Sequence, residues 1–355
     1  MTDGVLRDAT IRALDEQGDI PRVDRLEALQ RWVDANVSGA PYSLSPASAD
    51  ASFRRYFRVG FADASRPSLI VMDAPPDKED TRPFVHVAAL LHEAGLNAPR
   101  VLAQDVAQGF LLLSDLGVTT YLGALDEHNA DRLFDDATTA LVQWQSATRD
   151  GVLPPYDAAL LRRELELFPE WYLKRHLGIV LEGEAREQLE RVFALLIASA
   201  VAQPQVFVHR DYMPRNLMVC EPNPGILDFQ DAVQGPITYD VVSLFRDAFV
   251  SWEEERVLDR TIRYWEKARA RGLPVDPDFG AFYRAFEWMG LQRHLKVLGI
   301  FARINYRDGK PAYLEDTPRF LAYARATASR YAALAPLLAL LDRIEGRRAE
   351  VRYTF

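Results

Sequence analysis

Residues 206–229 carry polar side chains of the types and order that phosphoryl transfer needs. An apolar run, Val206-Phe207-Val208, enters His209-Arg210-Asp211, and Asn216 follows before the chain returns to the apolar Leu217-Met218-Val219. The next apolar stretch, Gly225-Ile226-Leu227, ends on Asp228-Phe229. Moving a phosphoryl group onto a hydroxyl calls for a carboxylate placed to accept the hydroxyl proton. It also calls for a hard divalent cation, and Mg²⁺ takes oxygen ligands such as an amide carbonyl and a second carboxylate. Asp211 fits the first role, and Asn216 and Asp228 fit the second. A His-x-Asp pair alone is common, and Asp-Phe alone says little. The weight lies in the joint pattern: apolar runs on both sides of the loop and the second acid one hairpin later.

Such a loop must hang from regular elements. Residues 5–37 mix charged and apolar positions at helical spacing and read as helices. Residues 41–74 read as strands, notably 56–61 and 68–73, and Pro75-Pro76 ends the run. Residues 84–94 have helical periodicity that stops at Gly95, and 101–103 and 109–114 return to strand character. From residue 130 onward, apart from the hairpins around Asp211, apolar stripes predict a mostly helical chain. The expected architecture is α+β and bilobal. A helical extension covers 1–40, a small strand-rich N-lobe 41–115, and a larger mostly helical C-lobe 116–355.

The 355 residues are 48% apolar, enough for a large core and for two lobes. A net charge of −9 argues against a nucleic-acid binder, which usually presents a basic face. The single cysteine, Cys220, rules out an internal disulfide framework or a four-cysteine zinc site, and its apolar run suggests a buried thiol. The first residues lack a basic stretch followed by an apolar core, and no uncharged apolar run reaches membrane-spanning length. A soluble cytoplasmic protein is the expectation.

The order of these pieces resembles the aminoglycoside phosphotransferase family of small-molecule kinases, which share the protein-kinase-like fold. The resemblance covers roughly residues 42–250. Within that family, residues 50–59, 163–173, 209–218 and 227–232 look like the cell-wall-recycling kinases that act on the anomeric hydroxyl of N-acetylmuramate and N-acetylglucosamine. The resemblance implies ATP as donor and Mg²⁺ as cofactor. Carried over residue by residue, Asp211 would be the base, Asn216 and Asp228 the metal ligands, and His209 a support for the loop. Asp240 resembles the acid that braces this loop from the next helix; a plain N-terminal helix charge is the alternative reading. Residues 110–116 resemble the hinge between lobes, where the backbone near Leu116 would meet adenine.

The turn 46–53 stands where the family places its phosphate-covering loop. It has no glycine, but Ser48 or Ser52 would approach phosphate and Arg54 would meet it bidentately. For Ser52 an ordinary turn residue, and for Arg54 a solvated strand charge, are the alternatives. The family's third strand carries a lysine paired with a glutamate on the following helix. Here Met72 and His86 fall on those positions, so Arg54, Arg55 or Lys78 must supply the cation. The sugar would face Asp211, near Arg210, Arg215 and Gln230. Two rivals remain at this point: the same chemistry on another alcohol, of aminoglycoside, choline or homoserine type, and a nucleotide-binding module without activity.

Overall fold

Apolar residues at every second position place Phe57 and Val59 on one face of a strand, and pairing carries that face across a sheet. The computed structural model describes residues 21–37, 39, 41–48 and 53–346. Five antiparallel strands run in the order β1 (Tyr42–Ser48), β2 (Arg55–Phe61), β3 (Leu69–Asp73), β5 (Phe110–Ser114), β4 (Val101–Asp105). Phe57 lies opposite Val71, and Val71 opposite Leu112, so the buried face is continuous. Helix α1 (Pro21–Asn36) covers it with Leu29 and Val33, both fully buried. Each such side chain contributes about 1.5–3 kcal/mol. Tyr56, Met72 and Leu111 form the matching row on the other face. Helix α2 (Arg82–Glu93) starts with a proline in its first turn and is followed by Gly95 at φ 74°.

The chain divides into two compact units, residues 1–118 with 225–230, and residues 119–224 with 231–355. This differs from the expected boundaries in two respects. Helix α1 belongs to the first unit, because its apolar face is spent on the sheet. Residues 225–230 also belong to it: Ile226 N–H bonds to Asn97 O at 2.7 Å, and Phe229 packs on Phe84 with ring centroids 4.7 Å apart. Residues 1–20 of the expected helical extension lie outside the described residues.

The second unit is helical: α3 (Tyr121–Ala124), α4 (Ala130–Ser146), α5 (Ala158–Leu165), α6 (Gly183–Ala202), α7 (Tyr239–Phe245), α8 (Glu254–Ala270), α9 (Phe279–Asp308), α10 (Thr317–Arg330) and α11 (Ala335–Ile344), with a π-helical segment at Phe168–His176. Its one hairpin-like pair is β6 (Gln205–Val208) against β7 (Val233–Pro236), with Val208 opposite Val233. Helix α9 is buried nearly all round between Phe286 and Ala302, as a central helix must be. Gly299 lets it come that close. A Cβ there would sit 2.4 Å from the Leu167 carbonyl oxygen, so only glycine allows α9 to press on the chain between α5 and the π-helical segment. Among the described residues no helix is long and apolar enough to cross a membrane. Cys220 is half-buried rather than buried.

Candidate active site

Strand β6 is apolar up to Val208, and the polar loop begins as soon as the strand ends. His209 and Arg210 turn their backbone N–H groups onto one carboxylate, Asp240, at 2.7 Å to Oδ2 and 3.0 Å to Oδ1. Asp240 is fully buried in the first turn of α7. Burial pushes its carboxyl up to about 7, against the pull of the two N–H groups. Arg210 has φ 77°, a left-handed conformation that costs a non-glycine residue about 1–2 kcal/mol. The Asp240 bonds hold it there. The buried His209 imidazole accepts the Asp211 N–H on Nδ1 at 3.2 Å, and Tyr212 anchors the loop by donating to Ala137 O at 2.8 Å. The turn then closes on Asp211. Its carbonyl accepts Met213 N–H at 3.0 Å and Asn216 Nδ2 at 2.9 Å. Binding through Nδ2 fixes the Asn216 amide plane, with its oxygen on the opposite branch.

Behind this loop lies a buried polar cluster. Glu164, on α5, accepts Arg210 Nη2 at 2.6 Å and Lys296 Nζ at 3.0 Å through the same oxygen. Its other oxygen accepts the Tyr156 hydroxyl and, at 3.5 Å, Gln292 Nε2. Lys296 also donates to Tyr239 at 3.0 Å, and the Arg210 guanidinium lies 5.6 Å from the Tyr156 ring centroid. Burial opposes the charge on Glu164, but Lys296 and Arg210 hold its carboxyl below the usual range. Gly235 on β7 makes room: a Cβ there would lie 2.9 Å from Tyr156 Cβ. Arg215 sits with its guanidinium 4.9 Å from the Phe249 ring centroid.

In the first unit, residues 225–230 hold Asp228 at φ 62°, and Gln230 Nε2 donates to Asp228 Oδ1 at 2.9 Å. Gln230 therefore orients the second carboxylate. Residues 46–48 of the expected turn belong to β1, and Arg54, just before β2, pairs with Glu79 at 3.1 Å, both side chains largely shielded. Arg55 is spent on Asp73, a fully buried carboxylate that also takes Arg25 at 2.6 Å. Lys78 stays half-exposed. Of the three cations expected to replace the strand lysine, Arg54 is thus the shielded one next to the turn. Met72 is buried in its row with no charge beside it in the register. Leu116 follows Asp115, which is clamped by Arg58 at 2.6 Å, Ser68 at 2.7 Å and the Gly117 N–H at 2.9 Å. Ser52 lies outside the described residues, and Ser48 closes β1 with its side chain outside them.

The sequence profile of the phosphotransferase enzyme family matches residues 43–275. The chain belongs to that family. It is 60% identical over 327 residues to the N-acetylmuramate/N-acetylglucosamine kinase of Pseudomonas aeruginosa, covering 89% of this chain and 96% of that one. It is 52% identical over 336 residues to the protein of the same name from Pseudomonas putida, covering 92% of this chain and 98% of that one. Among solved structures, an ADP-bound aminoglycoside phosphotransferase, APH(2'')-Ib, aligns with a TM-score of 0.56 at 15% identity, over 83% of this chain and 97% of that one. The α+β, protein-kinase-like fold expected for a phosphotransferase of this family is therefore the fold of this chain.

Within the second unit the loop ties Asp211, Asn216 and Arg210 together; in residues 225–230 Asp228 and Gln230 are tied. Arg210 directs its guanidinium at Glu164, and Gln230 directs its amide nitrogen at Asp228. Among the described residues no group of three or more His, Cys, Asp or Glu is placed for a metal. Glu79, Glu164 and Lys296 went unnoticed in the sequence. Lys296 did leave a signal: it is a lone charge within Leu295-Lys296-Val297-Leu298 on an otherwise apolar helix stretch.

Proposed function

We propose that this protein is a cytoplasmic kinase that transfers a phosphoryl group from ATP to the anomeric hydroxyl of N-acetylmuramate and N-acetylglucosamine, in the recycling of cell-wall sugars. The observation that carries this reading is the 60% identity, over nearly the whole length of both chains, to a relative named N-acetylmuramate/N-acetylglucosamine kinase; the anomeric position is what the resemblance of residues 50–59, 163–173, 209–218 and 227–232 implies. Asp211 is the base: it accepts the proton of the sugar hydroxyl as the oxygen attacks the γ-phosphorus. The Asp240 clamp and the His209 bond keep its carboxylate aimed while that happens. Asn216 and Asp228 would supply oxygen ligands to Mg²⁺, which when bound would neutralise charge on the phosphates. Arg54 meets the phosphates, with Ser48 and Ser52, and the backbone near Leu116 receives adenine. Arg210 and Arg215 flank the sugar side.

The test is a substrate panel with product mapping. Phosphate on C1 of either sugar, with the 1-O-methyl glycoside inert and a 6-deoxy sugar still accepted, is the expected result. Phosphate on C6, or turnover of the 1-O-methyl compound, overturns the anomeric assignment. Turnover of kanamycin with neither amino sugar accepted overturns the substrate class.

A further inference from the structure

The cluster behind the catalytic loop is richer in donors than its own members use. Glu164 is shared by a guanidinium and an ammonium. An ammonium has three N–H donors, and Lys296 directs its hydrogen bonds at Glu164 and Tyr239. Arg210 Nε is buried with no hydrogen-bond partner, and its Nη1 reaches only the Asp231 carbonyl at 3.5 Å. Buried donors of this kind are normally satisfied. Lys296 keeps 11% and Arg210 20% of their side chains exposed. Both belong to the same unit as Asp211, and Arg210 is its chain neighbour. A purely structural brace for Glu164 needs one cation. The second cation leaves positive charge and free N–H donors beside the base, where an anionic group of the substrate would meet them.

The proposed sugars differ by one group: N-acetylmuramate carries a lactyl ether, and so a carboxylate, where N-acetylglucosamine has a hydroxyl. We infer that Lys296, together with Arg210, receives the substrate's lactyl carboxylate and sets the preference between the two amino sugars. This rests on the reading under Proposed function. It gives Glu164 a definite part. Its carboxylate holds the two cations side by side, so that the incoming group meets them already ordered. It also lowers their net charge, so that N-acetylglucosamine, which brings no anion, is still tolerated.

Two measurements test this. In the first, the wild-type enzyme is given N-acetylmuramate and its neutral lactamide. A charge-assisted contact predicts a preference of about 10–100-fold in kcat/KM for the acid. No preference overturns the proposal, and this arm needs no variant to fold. In the second, Lys296→Met is assayed on both sugars in one preparation, and the readout is the ratio of the two kcat/KM values, in which any general loss cancels. The ratio of N-acetylmuramate to N-acetylglucosamine is expected to fall by about tenfold or more. In the same variant the preference for acid over lactamide shrinks. A Lys296→Met ratio unchanged from wild type, with both sugars losing equally, assigns Lys296 to the scaffold and overturns the proposal. If the wild type phosphorylates neither sugar, the substrate assignment itself falls and takes this subsite with it. If it phosphorylates both but ignores the lactyl charge, only the subsite falls.

Discussion

Asp240→Asn separates the geometry of the catalytic loop from the stability of the fold. In the wild type each carboxylate oxygen takes one backbone N–H, from His209 and Arg210. An amide offers one acceptor oxygen and presents its own NH₂ to the other N–H. One charge-assisted bond is lost, worth about 1.5–3 kcal/mol. That bond restrains Arg210 at φ 77°, immediately before the base. If the loss falls on the transition state, kcat drops by about 10–150-fold. Stability behaves differently. Burial lifts the Asp240 carboxyl from 3.8 to about 7, so the folded state holds its proton more tightly than the unfolded chain. The stability that this group lends is fully present below the unfolded value and is lost as pH rises through about 7, a change of about 4 kcal/mol in all. Asparagine has no such slope. Unfolding midpoints taken near about pH 5 and about pH 8 should show the variant gaining on the wild type at the higher pH, while turnover falls most at the higher pH, where the wild-type carboxyl is ionised. Turnover within about threefold of wild type would refute the bracing role, and a stability gap indifferent to pH would refute the shifted carboxyl.

Other consequences are simpler to state. Asp211→Asn should bind nucleotide almost normally and lose about 10²–10⁴-fold in turnover, as read by ADP release beside a direct binding titration. Near-normal turnover removes it as the base. Asp228→Ala should abolish the Mg²⁺ dependence of nucleotide binding along with activity; an ATP titration with and without the ion that looks like wild type would sink that ligand. Arg54→Ala should weaken ATP far more than adenosine, by about 10-fold or more for a lost charge-assisted contact. Glu79→Gln should do the same to a smaller degree, because Glu79 only aims the guanidinium. Equal losses for both ligands would point to damage in the strand.

What could be read from the chain, and what could not, divides along the range of the interaction. The sheet was legible because residues 56–61 and 68–73 are short, β-rich runs bounded by turn residues, and their pairing brings Phe57, Val71 and Leu112 onto one face. The loop from His209 to Asn216 was legible because much of its chemistry is local, although Asp240, Ala137 and Glu164 hold it from other elements. Arg54, Arg210 and Gln230 were found as polar residues in the right neighbourhood, yet their partners were not. Glu79 and Glu164 are ordinary acids in sequence, and nothing in periodicity says that a carboxylate will be buried against a particular cation. Those pairings are decided by packing. Gly299 lets α9 press on the chain after α5, and the same approach brings Lys296 to Glu164. A charged residue in an apolar helical run is therefore informative in a way that its propensity is not. Burying it without a partner is too costly to persist, so its presence announces a partner supplied by another element. In Leu295-Lys296-Val297-Leu298 that partner is a carboxylate already shared with the residue next to the base. Lys296 is thus a buried helical charge whose partner ties it to the residue beside the base.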